Sequence, residues 1–335
     1  MTIHELLSNP TWINPQIDYL LWIQNMRMNF GPGLDTFFMS LTRFGEMTIP
    51  TLIMCLIYWC FDSMAGLYLF SLNGLCVLFA QFFKMIACVY RPWVLSDKIH
   101  PVQKAFMTAG GYSFPSGHSA GVSSSVGGMA YVFRKHKVVC VLLILFCILV
   151  GFSRHYLGVH TPQDVVVGLG LGLIFVFITA ALIKWCEQDK NRYLYFLGFI
   201  NVAIILMLYY ISHKSYPMDY VNGKLLVNPT RHIYISYLYF GWIMGTLNGV
   251  FLCRRFWPFD AKQGGKVLRT VRGFVGLLMA YSLMHYVDIT FWPHIAGNKT
   301  IFTIMCALGF FFTAIYPAIF MVIENFVSNR IMQKS

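Results

Sequence analysis

Three short segments of the chain, each beside a long apolar run, hold the side chains that could perform chemistry. Their ionisable and small residues are Lys84 and Arg91, then Ser116, Gly117 and His118, then Arg154, His160 and Asp164. Ionisable groups within apolar segments are expensive to keep there and by default mark a functional site. These residues are therefore the candidate site of the chain.

The cationic members of this set favour a dense anion such as phosphate. Lys84, Arg91 and Arg154 carry strong N–H donors and no acceptor, which suits the oxygens of a phosphate group. Ser116 and Gly117 stand where a helix is expected to begin, so free backbone N–H groups and the positive end of the helix dipole would face the same anion. Gly117 has no Cβ atom and lets the backbone approach a ligand closely.

The two histidines supply a nucleophile and a proton donor, which the permanently charged donors cannot provide. Asp164 follows His160 by one helical turn, so its carboxylate is expected on the same face as the imidazole. Such a carboxylate can hold one ring nitrogen and direct the other at phosphorus, as in a catalytic triad. No cluster of carboxylates suited to Mg²⁺ accompanies these residues. We predict phosphoryl transfer with neither a metal nor another cofactor.

Each of these residues also has a structural interpretation. The sequence Thr161-Pro162-Gln163-Asp164 is typical of a helix start, in which Asp164 would interact favourably with the helix dipole. Lys84 and Arg91 could be snorkelling residues at a membrane interface, and His118 could be an ordinary interfacial histidine. The joint presence of all three segments favours the catalytic interpretation, and a capped helix start is compatible with it.

The composition indicates that these segments lie in an integral membrane protein. Of the 335 residues, 57% are hydrophobic and only 11% are charged, whereas soluble domains contain about 25% charged residues. This excludes a disordered, collagen-like, coiled-coil or ordinary cytosolic protein. The nine cysteines follow neither zinc-site spacing nor a disulfide framework, and we interpret them as small apolar residues.

We predict an all-α polytopic membrane helical bundle with about nine transmembrane helices, because a bilayer core requires about 20 mainly apolar residues per crossing. Glu46 and Pro50 interrupt the first predicted crossing, and Gly and Ser residues fill the third. Residues 16–44 are predicted to form amphipathic helices in the membrane interface. The predicted crossings are 45–61, 64–83, 117–133, 138–153, 164–184, 194–211, 232–252, 274–292 and 301–323.

The distribution of basic residues predicts which side of the membrane carries the chemistry. More than half of the 25 Lys and Arg residues fall in connections on one side, and the three chemical segments fall on the other. Basic connections mark the cytoplasmic side, so the net charge of +12 reflects topology and not nucleic-acid binding. The basic stretch 254–272 could also touch anionic lipid head groups, although a topology signal explains it. We predict a plasma or inner membrane protein whose active site faces the periplasm, extracellular space or a lumen.

Taken in order, the three segments resemble the type-2 phosphatidic acid phosphatase superfamily, the membrane-integral lipid phosphate phosphatases. The resemblance rests on Lys-x6-Arg-Pro at 84–92, Pro-Ser-Gly-His at 115–118 and Ser-Arg-x5-His-x3-Asp at 153–164. It implies a six-helix phosphatase core, which we place at residues 45–211. Interfacial helices would precede it at residues 1–44, and three further transmembrane helices would follow at 212–335, where they could shape the substrate pocket.

The resemblance also implies a role for each candidate residue. His160 would attack phosphorus and form a phosphohistidine that water then hydrolyses, while Asp164 would orient the imidazole. His118 would protonate the leaving oxygen. The residues implied to hold the substrate phosphate are Lys84, Arg91, Ser116, Gly117 and Arg154.

The activity expected from the resemblance is hydrolysis of a lipid phosphate or diphosphate by a histidine phosphatase. Isoprenyl diphosphate, phosphatidylglycerophosphate, phosphatidate and sphingoid-base phosphate all fit, and membrane lipids are the expected partners. A phosphatase of a soluble phosphate ester, similar to glucose-6-phosphatase, stays open, as does a lipid phosphotransferase with an acceptor other than water. A transporter or scramblase that keeps the fold is disfavoured because no catalytic residue is missing.

Overall fold

The computed structural model describes residues 3–221, 223–291 and 297–332, and most of them are helical. Short 3-10 or π-helical turns at Arg43–Gly45, Ile57–Phe61 and Phe311–Ile315 adjoin the α-helices, and two-residue antiparallel strands pair Tyr220–Val221 with Lys224–Leu225. The α-helices are α1 Ile3–Leu7, α2 Pro10–Phe30, α3 Pro32–Thr42, α4 Thr48–Leu56, α5 Ser63–Ala87, α6 Pro92–Leu95, α7 Gln103–Thr108, α8 Gly117–Val132, α9 Lys137–Tyr156, α10 Pro162–Gln188, α11 Asn191–His213, α12 Pro229–Phe256, α13 Lys266–Phe291, α14 Asn298–Phe310 and α15 Tyr316–Met332.

Among the described residues, seven helical segments are long and apolar enough to cross a bilayer. They are Ser63–Leu95, Lys137–Tyr156, Pro162–Gln188, Asn191–His213, Pro229–Phe256, Lys266–Val287 and Asn298–Phe326. The prediction of an all-α, multi-pass membrane protein is confirmed. The predicted count of nine crossings is not confirmed, because two of the predicted crossings do not form single long helices.

The first of these two is the predicted crossing at 45–61, which is one arm of a bent helix pair. The helical path bends by 53° between the arms Pro32–Gly45 and Thr48–Phe61, and together they would make an eighth span. Glu46 has extended backbone angles and ends the helical path. Pro50 lies in the first turn of α4, where the missing N–H group has no intrahelical partner to lose. The interruption seen in the sequence is therefore a bend between two helices.

The second is the predicted crossing at 117–133, which corresponds to α8 with 16 residues. At 1.5 Å per residue this helix is about 24 Å long, shorter than a bilayer core of roughly 30 Å. Its Gly and Ser residues reflect burial within the protein. Ser124 and Ser125 donate hydrogen bonds to the carbonyl oxygens of Ala120 and Gly121 at 2.7 and 2.6 Å, so their hydroxyl groups are satisfied inside the bundle.

The chain folds into two compact units, each built from separated stretches of sequence. The first contains Met1–Pro50, Cys76–Val176 and Tyr209–Ser236, and the second contains Thr51–Leu75, Phe177–Leu208 and Tyr237–Ser335. All of the candidate site residues belong to the first unit. The predicted functional division into residues 1–44, 45–211 and 212–335 stays a prediction.

In the first unit, α2 contacts the loop between α6 and α7. Ile13, Ile17 and Leu20 are buried on one face of α2 and pack with Ile99 of that loop. Further along the same helix, Gln24 binds the loop with both ends of its amide: Nε2 donates to the Lys98 carbonyl at 3.0 Å, and Oε1 accepts from the His100 backbone N–H at 2.6 Å. The amphipathic pattern of α2 thus reflects packing within the unit. Its predicted place in a membrane interface stays a prediction.

Candidate active site

The first chemical segment begins with Lys84, which lies in the last turn of α5 and is buried. Its ammonium group donates to the carbonyl oxygens of Tyr112, Ser113 and Pro115 at 3.2, 2.9 and 2.6 Å. An ammonium group has three N–H donors, so these carbonyls account for all of them. Lys84 therefore holds the loop that leads into α8 and contributes positive charge to the site.

Arg91 connects three parts of the site. The chain leaves α5 through Cys88, whose φ of +51° is the left-handed conformation with which helices commonly end, and Arg91 follows just before α6. Its Nη1 donates to the carbonyl oxygen of Val159 at 2.8 Å and to Nε2 of His160 at 2.8 Å, and its Nε donates to the carbonyl oxygen of Gly111 at 3.1 Å. The guanidinium group is thereby fixed against His160.

Ser116, Gly117 and His118 begin α8, as the sequence predicts. Ser116 is the N-cap residue, and its hydroxyl oxygen accepts from the backbone N–H of Ser119 at 3.3 Å. Gly117 is exposed, and a Cβ atom built on it would meet nothing within 4 Å. The N–H groups in the first turn of a helix have no intrahelical acceptor, so this open helix start suits an anion.

His160 and Asp164 form a buried pair at the start of α10. His160 Nδ1 lies 3.3 Å from Asp164 Oδ2, and the two side chains are 2% and 0% exposed. The backbone N–H of Thr161 also donates to Asp164 Oδ2, at 2.8 Å. This geometry is compatible with both the helix-capping and the orienting interpretation of Asp164, because one carboxylate oxygen contacts the backbone and the imidazole.

Ser113, which no motif in the sequence marks, contacts both members of this pair. Its hydroxyl group donates to Asp164 Oδ2 at 2.5 Å and lies 3.2 Å from His160 Nδ1. Ser113 lies in the loop just before Pro-Ser-Gly-His. Its closeness to that motif is the one signal for it in the sequence. It limits the directions in which the Asp164 carboxylate can turn.

The electrostatic surroundings keep His160 neutral. Burial, together with the positive charges of Arg91, Arg154 and Lys84, holds the pKa of His160 well below its ordinary value. With Nδ1 facing the Asp164 carboxylate, the proton of the neutral ring is expected on Nδ1, and the lone pair on Nε2. That lone pair accepts from Arg91, and it is the nucleophilic position of the ring.

Arg154 lies in the last turn of α9 and is buried. Its Nη1 donates to the hydroxyl oxygen of Thr42 at 2.6 Å, while its Nε has no hydrogen-bond partner within the described residues. Buried donors are normally satisfied, and a buried cation without a full set of partners is costly. An anion bound beside Arg154 would supply the missing acceptor.

A second residue that the sequence analysis did not assign to the site is Glu46, at the bend between α3 and α4. Its Oε1 lies 3.8 Å from Nε2 of His118, and both side chains are partly exposed. The preceding turn approaches α8 closely, since a Cβ atom on Gly45 would lie 2.5 Å from the backbone oxygen of His118. In the sequence, Glu46 only interrupted an apolar run.

Part of the predicted C-terminal addition also belongs to the first unit. Lys214 donates to the carbonyl oxygens of Met85 and Ile86 at 2.8 and 2.6 Å, at the end of α5. His232 packs on Gly111, which has a φ of +86° and where a Cβ atom would lie 1.9 Å from the ring. The segment after α11 therefore supports the loops that carry Arg91 and its carbonyl partners.

The comparison with protein families matches residues 65–188 to the family model described as the PAP2 superfamily. All of the candidate site residues fall inside the matched range. The match covers all of the helices α8, α9 and α10 and most of α5, which are elements that position these residues. No solved structure matches the chain.

Several curated proteins are similar to part of this chain. Phosphatidylglycerophosphatase B of Bacillus subtilis is 32% identical over 118 residues, which are 33% of this chain and 55% of that protein. Lipid A 1-phosphatase of Rhizobium johnstonii is 36% identical over 74 residues, 22% of this chain and 29% of that protein. Undecaprenyl-diphosphatase of Sulfolobus acidocaldarius is 38% identical over 82 residues, 23% of this chain and 39% of that protein. The chain thus spans about half or less of the length of these relatives.

Proposed function

Because residues 65–188 match the family model of the PAP2 superfamily, we propose that this chain is an integral membrane phosphatase that hydrolyses a lipid phosphate or diphosphate through a phosphohistidine. The observation that carries the proposal is the arrangement around His160. The Asp164 carboxylate faces Nδ1 of the ring, and the buried Arg91 donates a hydrogen bond to Nε2. A neutral imidazole with its lone pair among cations is suited to attack an anionic phosphorus centre.

In the proposed substrate complex, the phosphate oxygens accept hydrogen bonds from Arg91, Arg154 and the backbone N–H groups at the start of α8. Arg154 has a buried N–H that lacks a partner within the described residues. Lys84 acts through its charge, because carbonyl oxygens hold its ammonium group. These groups sit where negative charge develops in the transition state, which is the arrangement that lowers a barrier most effectively.

The first chemical step forms a P–N bond and breaks the P–O bond to the leaving group. Arg91 transfers its hydrogen bond from Nε2 of His160 to a phosphate oxygen, and the freed lone pair attacks phosphorus. His118 gives its proton to the leaving oxygen, which keeps the electron pair of the broken bond. The positive charge that develops on the phosphorylated ring is stabilised by Asp164 through Nδ1–H.

The second step reverses the role of His118. The neutral imidazole of His118 takes a proton from water as the water oxygen attacks phosphorus. The P–N bond breaks, and its electron pair returns to Nε2 of His160. Inorganic phosphate leaves, His118 is protonated again and His160 is neutral again. The cycle therefore consumes one water molecule and returns every protein group to its starting protonation state.

The names of the relatives favour a lipid substrate over a soluble one. Phosphatidylglycerophosphatase B, lipid A 1-phosphatase and undecaprenyl-diphosphatase are each named for a lipid that carries phosphate or diphosphate. The seven candidate spans agree with a site that receives its substrate from the bilayer. From the basic connections, we place the active site on the non-cytoplasmic face of a plasma or inner membrane.

The deciding experiment measures phosphate release by the purified protein in detergent with EDTA. Wild type, His160→Ala and the matched control His136→Ala, an exposed histidine at the start of α9, each receive phosphatidylglycerophosphate, an isoprenyl diphosphate and glucose 6-phosphate. We expect release from the lipids by wild type and the control, and none by His160→Ala. Mass spectrometry of acid-labile, base-stable phosphopeptides should place the phosphate on His160.

Other outcomes would contradict specific parts of the proposal. Equal release by wild type and His160→Ala would overturn the nucleophile. Preference for glucose 6-phosphate would overturn the lipid substrate, and activity that EDTA abolishes and Mg²⁺ restores would overturn metal independence. Phosphate that leaves His160 only when an alcohol acceptor is added would identify a phosphotransferase.

A further inference from the structure

The general acid of the proposed reaction works in an unfavourable electrostatic environment. This inference rests on the proposed function, in which His118 must carry a proton to give to the leaving oxygen. Burial is the main factor that lowers the pKa of His118, to about 4, and the positive charges of Arg154 and Arg91 lower it further. The Glu46 carboxylate acts in the opposite direction, and the neutral His160 also lies near the His118 ring. Positive neighbours disfavour the imidazolium form, so the cations that bind phosphate also oppose protonation of the acid.

Glu46 is the carboxylate that faces His118 among the described residues. Its Oε1 lies 3.8 Å from Nε2 of the ring, with side-chain exposures of 49% for Glu46 and 27% for His118. His118 lowers the pKa of Glu46 below its ordinary value more than burial raises it, and the charges of Arg154 and Arg43 lower it further. Glu46 is therefore negatively charged at neutral pH.

The backbone fixes this contact. Arg43–Gly45 forms a short 3-10 turn after α3, and Glu46 then adopts an extended conformation before α4 begins. A Cβ atom on Gly121 of α8 would lie 2.6 Å from the carbonyl oxygen of Gly45, so the turn and the helix are in direct backbone contact. The same bend provides the Thr42 hydroxyl that binds Arg154. It thus contacts both the acid and a phosphate-binding arginine.

We propose that Glu46 is a positioning residue that favours the protonated form of His118 and holds its ring turned for proton donation to the leaving group. A carboxylate at Nε2 stabilises the ring with N–H groups on both nitrogens, which leaves the second N–H for the leaving oxygen. The site then contains two carboxylate–histidine pairs with different exposure. Asp164 and His160 are shielded from solvent, as a nucleophile requires, while Glu46 and His118 are partly exposed and can exchange protons with water.

The test compares wild type with Glu46→Gln, which keeps the size of the side chain and removes its charge. Asp18→Asn is the matched control, because Asp18 is an exposed carboxylate on α2 of the same unit. The pH dependence of kcat/KM is measured with a lipid phosphate, whose leaving alkoxide needs a proton, and with p-nitrophenyl phosphate, whose leaving phenolate needs little help.

We expect Glu46→Gln to move the alkaline limb of the lipid phosphate profile to lower pH by roughly one pH unit, as the loss of one nearby charge predicts. The acid limb should not move. The rate with p-nitrophenyl phosphate should fall less than the rate with the lipid phosphate, and Asp18→Asn should match wild type in each measurement. A purely structural role would lower both rates by the same factor.

A titration that needs no activity makes the inference independent of the proposed function. In protein with isotope-labelled histidine, the ring signals of His118 are identified by their loss in His118→Asn and followed against pH by NMR. The pKa of His118 should be lower in Glu46→Gln than in wild type by the same amount. Coincident titration of His118 in the two proteins would overturn the role of Glu46. Absence of phosphate release by wild type would instead overturn the proposed function, and the titration would still decide the inference.

Discussion

Arg91 donates a hydrogen bond from Nη1 to Nε2 of His160 at 2.8 Å. A guanidinium group has only donors, so the contact requires a lone pair on Nε2 and places the ring proton on Nδ1, beside Asp164. The arginine that would bind the phosphate therefore also holds the nucleophilic nitrogen. When phosphate oxygens replace Nε2 as acceptors for Arg91, binding of the substrate itself releases the nucleophile.

This relationship predicts that Arg91 cannot be replaced by another cation. Arg91→Lys keeps the charge but loses the planar set of donors that contacts Val159, Gly111 and His160 together. We expect kcat/KM to fall by roughly 10²–10³-fold, as for loss of a donor that stabilises transition-state charge. Steady-state kinetics with the preferred lipid phosphate measure this. Arg27→Lys on α2 is the control, and equal activity of Arg91→Lys and wild type would contradict the prediction.

Asp164→Asn should slow formation of the phosphoenzyme without preventing phosphate binding. The amide has nearly the shape of the carboxylate but no charge to stabilise the imidazolium, and it can favour the wrong tautomer of His160. By the measure of other carboxylate–histidine pairs, we expect a loss of about 10³–10⁴-fold in kcat. Rapid-quench detection of phosphohistidine should show slower formation, whereas an unchanged rate would show that Asp164 only caps α10.

Ser113→Ala tests whether the carboxylate needs its second contact. Removing the hydroxyl group that binds Asp164 Oδ2 should raise the activation free energy by about 1 kcal/mol. This corresponds to a roughly fivefold lower kcat, with little change in KM. Ser124→Ala is the matched control, because Ser124 is a buried serine whose hydroxyl group donates to a helix carbonyl. A larger effect in the control than in Ser113→Ala would show that general packing, and not the orientation of Asp164, explains the loss.

The parts of the site that the sequence predicts are those set by local patterns. Ser116 begins α8 and Pro162 begins α10, where capping residues and proline indicate helix starts. The four-residue spacing of His160 and Asp164 brings their side chains together because one turn of helix separates them. Ionisable side chains are costly to place in contact with lipid, so the segments that carry them are expected to be buried together in the protein.

The contacts that the sequence did not predict are long-range. Thr42 and Arg154 are 112 residues apart in the chain. Glu46 contacts His118 only because the 3-10 turn Arg43–Gly45 packs on the start of α8. Neither contact leaves a periodic pattern in the sequence. The predicted number of crossings is not confirmed for a related reason: a charge and a proline do not distinguish a broken crossing from two helices that meet at a bend.

The pH dependence of the reaction should have an acid limb well below the ordinary range of histidine. His160 acts as a neutral nucleophile, and burial and nearby cations lower its pKa. It therefore stays reactive as the pH falls through about 6.5, the ordinary value, and loses reactivity only when the pH reaches its lowered pKa. The alkaline limb should report deprotonation of His118, because the acid must hold a proton. Burial and the charges of Arg154 and Arg91 lower the pKa of His118 to about 4, so this limb should also lie below the ordinary value of about 6.5.

Measurement of kcat/KM for wild type from pH 4 to pH 9 checks the direction in which the acid limb is displaced. Arg91→Lys and Asp164→Asn extend the test, since the first keeps a positive charge near His160 and the second removes the adjacent negative one. The acid limb should move little in Arg91→Lys and to lower pH in Asp164→Asn, where protonated His160 loses its anion. An acid limb at or above the ordinary histidine pKa in wild type would mean that His160 is charged in the free enzyme, and the attack by a neutral imidazole would then be wrong.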